Sequence, residues 1–282
     1  MANIGIIGWG VVGQATGKGF VTNKENKVLW YDKYKDGGTA LPELLEKSEF
    51  IFIAVPTPIF SDYSGLDVSI VDSVVGEVAP ALSGTDKILV IKSTVLPGST
   101  EAYIKNYKGT KFAMNPEFLT QANANKDFLN PERTVIGVTD KKVGERLKKL
   151  HQTILPKNQE YFITDPTTAE LAKYMSNLML ASKVLLANEF YLMAKKLGID
   201  YEGVREIVEA DSRIGTHIKA PGPDGDMGFG GACFPKDMVG LLGLAKELKV
   251  DLSALEAIWE KNLKLREKRD WEDMPSAVSR KK

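Results

Sequence analysis

Cysteine occurs once and histidine twice in 282 residues. A single thiol excludes an internal disulfide and suits a reducing compartment. His151 and His217 stand far apart and offer no metal-ligand cluster, so no metal site is expected. Neither sign of charge is in excess, because 37 Lys plus Arg balance 37 Asp plus Glu. Without a net positive field the chain has little to hold nucleic acid or an anionic membrane. No apolar run reaches the roughly 20 residues that cross a bilayer, and the N-terminus enters a strand without a basic leader. These absences imply a soluble, cytoplasmic protein whose partner is a small molecule.

What is present is 43% hydrophobic residues, in a chain longer than the ~100–200 residues of a usual domain. Apolar runs at 3–7, 28–31, 50–55, 88–91, 112–114, 134–138 and 161–163 alternate with helical patterns. Runs such as 50–55 and 88–91 are continuous and rich in branched residues, as strands buried on both faces should be. The alternation predicts an α/β fold, a Rossmann-type doubly wound parallel sheet with right-handed crossovers. After residue 164 the pattern becomes helical. Asp165-Pro166 reads as N-cap and first helical residue of a helix running to Leu197, where Gly198 stops it. Residues 201–209, 235–248 and 253–266 also read as helices, around a glycine- and proline-rich loop at 221–231. The expected organisation is a dinucleotide-binding domain at 1–164, an all-helical domain at 165–266 and a charged, weakly patterned tail at 267–282.

Gly8, Gly10 and Gly13 fall in a G-x-G-x-x-G turn between the first strand and a helix. There the first glycine permits the tight turn, the second admits a pyrophosphate to the backbone, and the third lets helix and strand pack. Asp32 closes the second strand nineteen residues after Gly13. A carboxylate there accepts both ribose hydroxyls and repels a 2′-phosphate, which favours NAD over NADP. Trp9 is bulky for such a turn, and the sequence gives no reason for it.

Five further segments carry a resemblance. They are Val55-Pro56-Thr57-Pro58, Lys92-Ser93-Thr94-Val95, Asn115-Pro116-Glu117-Phe118-Leu119, Glu170-Leu171-Ala172-Lys173-Tyr174 with Asn177, and Gly230-Gly231-Ala232-Cys233-Phe234-Pro235-Lys236-Asp237. In order and spacing the chain resembles the UDP-glucose/GDP-mannose (nucleotide-sugar) dehydrogenases from Asn3 to about Asn262. The resemblance implies a nucleotide-sugar substrate, a homodimer built on the helical domain, and a role in polysaccharide biosynthesis. It implies two NAD-dependent oxidations of a primary alcohol, through an aldehyde and a thioester on Cys233. Covalent capture divides a difficult oxidation into feasible steps. A helix beginning near Pro235 would present its N-terminus, with Lys236, to negative charge developing on the sulfur.

By the same resemblance Lys173 and Asn177, four apart on one helix face, hold a developing oxyanion. From the residues alone a solvated lysine is the better reading of Lys173. Glu117 becomes the base for thioester hydrolysis, Thr94 orients a water or the substrate hydroxyl, and Asp237 assists with water or orients Lys173. The cofactor set is Gly8, Gly10, Val11, Val12, Gly13, Asp32, Val55, Pro56, Thr57, Ser93, Thr94 and Lys236. The substrate set is Glu117, Phe118, Leu119, Lys173, Asn177, Arg213, Phe229, Gly230 and Cys233, with Arg213 pairing with a diphosphate and the glycines of 228–231 admitting backbone contact.

The chain departs from the family in two ways. Gln121 stands where many members have a second glutamate, and an amide cannot take a proton. Full-length members also continue into a second Rossmann-like domain. Two other readings therefore stay open: a two-electron hydroxyacid dehydrogenase of the 6-phosphogluconate dehydrogenase type, and a catalytically silent NAD-binding subunit.

Overall fold

Seven strands of four or five residues form one sheet in the order β2-β1-β3-β4-β5-β6-β7. They are β1 (Asn3–Ile7), β2 (Lys27–Tyr31), β3 (Phe50–Ile53), β4 (Ile88–Ile91), β5 (Lys111–Met114), β6 (Thr134–Gly137) and β7 (Tyr161–Thr164). This computed structural model describes residues 2–279, apart from the side chain of Gln121. The expectation about Gln121, and residues 280–282 of the expected tail, lie outside that description.

The two-residue period of the strands explains why helices cover both faces. Ile51, Ile53, Leu89 and Ile91 point to one face, where they pack with Val71, Val75 and Val78 of α3 (Ser69–Leu82) and with Leu41 and Leu44 of α2 (Leu41–Lys47). Phe50, Phe52, Ile88 and Val90 point to the other. They meet Ala15 and Phe20 of α1 (Val11–Phe20), Phe128 of α5 (Ala124–Leu129) and Leu147 of α6 (Lys141–Gln152). His151 of α6 is buried on this second face against Phe20, Phe52 and Phe128. Burial, helped by the charge of Lys92, pushes its imidazole down to about 3.

The sheet departs from the expected parallel arrangement at one place. β6 meets β5 antiparallel through a single register pair, Met114 with Gly137, while β6 and β7 are parallel to each other. The connection through α5 thus brings β6 in at the edge where β5 ends. β1 pairs with both β2 and β3, so the order of the sheet reverses at β1, where ligands of open α/β sheets bind.

The chain divides into two compact units, one of Met1–Thr57 and Val68–Lys173, the other of Pro58–Asp67 and Tyr174–Lys282. The division falls inside α7 (Pro166–Leu197), a helix of 32 residues that ends, as expected, before Gly198 at φ +69°. The second unit continues with α8 (Tyr201–Glu209), α9 (Phe234–Leu248) and α10 (Ser253–Leu265).

Where the sequence suggests a charged, partly ordered tail, residues 267–279 are packed chain. Trp271 is fully buried, 5.7 Å from the Trp259 ring of α10, and its indole N–H donates to the Tyr63 hydroxyl at 3.3 Å. Ile59 N–H donates to Ala277 O and Ser279 N–H to Ile59 O, both at 2.7 Å, and the Ser279 hydroxyl donates to Asp67 at 2.9 Å. The excursion Pro58–Asp67 is thereby tied to 267–279. Charged neighbours hide this in the sequence, because Trp271 is the one large aromatic among them.

Candidate active site

The turn after β1 depends on its glycines. Gly8 takes φ +94°, and its N–H donates to Tyr31 O at 2.9 Å. A Cβ on Gly13 would stand 1.9 Å from Gly8 O, so helix α1 can pack only with glycine there. At Gly10 a Cβ would meet nothing within 4 Å, and Val11 is exposed while Val12 is half-buried beside it. The turn therefore leaves open backbone at the N-terminus of α1, the position that receives a pyrophosphate.

Asp32 is half-buried at the end of β2. Its Oδ2 accepts the Trp9 N–H at 2.7 Å and its Oδ1 accepts the Tyr34 N–H at 2.9 Å. Trp9, unexplained by the sequence, stacks on Trp30 at 4.9 Å between ring centroids. It also lies over Gly17, where a Cβ would come within 2.5 Å of its ring. The tryptophan braces the outer edge of the turn, and Lys35 donates to its carbonyl at 2.7 Å.

The next segments lie at the ends of β3, β4 and β5. Val55 is half-buried, Pro56 exposed and Thr57 buried. Ser93 spends its hydroxyl hydrogen on backbone, with Val55 O at 2.7 Å, and Thr94 follows it half-buried. Glu117 is mostly buried. Its Oε1 accepts the Phe118 N–H at 2.7 Å, and its Oε2 lies 3.0 Å from the ammonium of Lys92. That second approach is an ion contact without well-angled hydrogen-bond geometry.

The Phe118 ring has two cations over it, Arg133 at 4.2 Å and Lys173 at 5.4 Å. Lys173 is buried rather than solvated, and Leu119 beside Phe118 is half-buried. One turn before Lys173, buried Glu170 accepts the N–H groups of Gly98 at 2.6 Å and Thr100 at 2.9 Å. It thus caps α4 (Ser99–Asn106) from outside that helix. Burial raises its carboxyl above the usual range, against the pull of those donors.

In the second unit Cys233 is exposed and occupies the N-cap position of α9, which starts at Phe234 rather than Pro235. Four residues on, Asp237 is fully buried. Its Oδ2 accepts from Asn177 Nδ2 at 2.6 Å and its Oδ1 from Lys236 Nζ at 2.5 Å. The ammonium expected to face the sulfur is thus committed to Asp237, which leaves the helix N-terminus as the source of positive potential at residue 233.

The glycine loop is less open than the sequence suggests. Gly228 N–H donates to Asn188, Phe229 N–H to Asn262, and Gly231 N–H to Asp270. Phe229 is buried between Phe234 and Trp259, and a Cβ on Gly230 would meet the Arg266 guanidinium at 2.2 Å. Arg266, itself buried, pairs with Asp224 at 2.6 Å and Asp270 at 3.1 Å. Arg213 is highly exposed and paired with Asp211 at 2.5 Å. Lys92 and Asn115 lie in two of the family-like segments, and the fold brings them together, with Lys92 Nζ donating to Asn115 Oδ1 at 3.1 Å.

Two domain models of one family match the chain. The UDP-glucose/GDP-mannose dehydrogenase family NAD binding domain matches residues 36–155, and its central domain matches 167–264. A UDP-glucose 6-dehydrogenase of Rickettsia bellii is 41% identical over 226 residues, covering 78% of this chain and 50% of the relative. One from Pseudomonas aeruginosa is 34% identical over 238 residues, covering 81% and 51%. The chain therefore spans about half the length of these relatives. The structure of a UDP-glucose dehydrogenase from the hyperthermophilic archaeon Pyrobaculum islandicum superposes with a TM-score of 0.82 at 30% identity, covering 94% of this chain and 68% of that one. Together with the open glycine turn and the Cys233–Asp237 segment, these matches make the chain a member of the UDP-glucose/GDP-mannose dehydrogenase family, carrying its NAD-binding and central domains.

Proposed function

We propose that the chain catalyses the NAD-dependent four-electron oxidation of a UDP-glucose-like nucleotide sugar to its uronate, through a thioester on Cys233. The observation that carries this reading is an exposed thiol at the N-cap of α9, with the buried Lys236 and Asp237 in the helix it opens and Asn177 bonded to Asp237. So dense a polar cluster is costly to bury unless every member is satisfied.

The residues of the first unit fit the cofactor. Gly10 leaves the backbone free, Gly13 closes the helix onto the strand, and Asp32 is a carboxylate suited to ribose hydroxyls. NAD held there would supply the hydride acceptor for each oxidation. Lys173 and Asn177 stabilise the oxyanion, Thr94 orients the hydroxyl or water, and Cys233 adds to the aldehyde as nucleophile. Glu117 orients and deprotonates the water that releases the product, supported by Asp237.

The chain also acts as a homodimer in this reading. Leu171, Met175, Met179, Leu186, Phe190, Met193 and Leu197 recur three, four or seven residues apart along α7, all exposed. A stripe of that size on a soluble enzyme marks an interface. Among the described residues no helix is long and apolar enough to cross a membrane, and we place the protein in the cytoplasm, where its lone thiol stays reduced.

The test counts NADH formed per sugar consumed with UDP-glucose and NAD. Two NADH per sugar, abolished in Cys233→Ala, is the expected result. One NADH per substrate would favour the two-electron hydroxyacid reading, and NAD binding without turnover a silent subunit.

A further inference from the structure

Lys92 has no role in the reading above, yet it is among the most buried charges of its unit, with a side chain only 4% exposed. It follows β4 directly. Its ammonium lies 3.0 Å from Glu117 Oε2, donates to Asn115 Oδ1 at 3.1 Å, and sits 5.7 Å from the centre of the Phe128 ring. Asn115 is itself held, its side-chain amide donating to Val135 O at 2.8 Å. With Phe118 N–H on Oε1, both oxygens of Glu117 have a fixed donor or cation.

Taking an ammonium out of water costs several kcal/mol, and a buried ion pair is often no better for stability than apolar residues of the same volume. Stability alone is thus a weak reason for this pair. A fixed orientation of the carboxylate is a better one.

We propose that Lys92 is a positioning residue for Glu117, holding its carboxylate in one orientation so that the remaining lone pairs receive the water that cleaves the Cys233 thioester. This rests on Glu117 being the hydrolytic base. In the step, the water oxygen bonds to the acyl carbon, the carbon–sulfur bond breaks, and the sulfur departs with the electron pair. Glu117 takes one water proton and passes it on to the thiolate. The acid formed loses the other, so thioester plus water gives carboxylate, thiol and one proton.

The experiment mixes the full chain with UDP-glucose and NAD, records NADH, and weighs the quenched protein intact. Lys92→Gln should give a burst of two NADH per Cys233, then a steady rate lower by about tenfold to a hundredfold, less than the roughly hundredfold to ten-thousandfold that a general base itself contributes. The acyl group should remain on Cys233, and Lys92→Arg should restore much of the rate. Glu117→Gln should trap the same adduct. If Glu117→Gln traps it while Lys92→Gln turns over within twofold of wild type, Lys92 has no positioning role and the reading of Glu117 stands. If Glu117→Gln leaves no adduct and turns over freely, or wild type makes no NADH, that reading fails and the proposal with it. Loss of the burst in both Lys92 variants would make Lys92 merely structural and overturn the proposal.

Discussion

Replacing Trp271 by alanine should destabilise the second unit by about 3–5 kcal/mol, the usual range for a buried tryptophan. The magnitude follows from the packing. The residue is fully buried, and an aromatic side chain of this kind removes roughly 150–250 Å² from water. At about 25 cal/mol per Å² that is about 4–6 kcal/mol, of which the remaining methyl keeps a part. The indole also loses its tilted contact with Trp259 and its N–H bond to Tyr63, the latter long at 3.3 Å. Trp271→Phe keeps most of the area and should cost only about 1–2 kcal/mol, for the smaller ring and the missing donor. Urea unfolding followed by circular dichroism gives the energies, and limited proteolysis shows whether 267–279 has come loose. A loss below about 1 kcal/mol for Trp271→Ala, with protease resistance unchanged, would refute the view that this segment is part of the core.

Three further outcomes are expected. Gly13→Ala forces a carbon to within 1.9 Å of Gly8 O; it should weaken NAD affinity at least tenfold by calorimetry, and unchanged affinity would rule out this turn as the cofactor cradle. His151 is neutral in the fold down to about pH 3, whereas in the unfolded chain it takes a proton below about 6.5, so stability falls as pH drops from about 6.5 to 3, by roughly 1.4 kcal/mol per unit. His151→Phe should flatten that slope in acid unfolding, and an identical slope would show the imidazole to be solvated. Phe190→Glu puts a charge into the exposed apolar stripe of α7; sedimentation should show a shift from dimer to monomer, and a wild-type monomer would remove the interface altogether.

The sheet was legible because its strands are short continuous runs of branched and aromatic residues that alternate with helical patterns. Ile88–Ile91 and the helix Pro166–Leu197 have the bounds the pattern predicts. Direction was not legible: nothing in residues 115–133 says that β6 will return antiparallel, because register against β5 is set by a connection whose path is a tertiary matter. At the site, the glycine turn and Cys233 are visible as local patterns. Lys92 was not, since a lysine beside a serine and a threonine reads as solvated until its carboxylate, 25 residues away, is seen to fold over it. The same holds for Arg266, whose partner Asp224 lies 42 residues back. Pairs of this separation leave no period in the sequence.

The bond between Asp67 and Ser279 joins residues 212 apart, which matters for the order in which the chain can fold as it leaves the ribosome. The sheet of the first unit has all its strands once Thr164 has emerged. The second unit cannot close until the last of the described residues arrives, because the strip that completes it pairs with Ile59. At about 5–20 residues per second, the excursion Pro58–Asp67 waits at least ten seconds with its partners still unmade. This ten-residue strip is thus bonded late, although in the finished molecule it is tied at both ends.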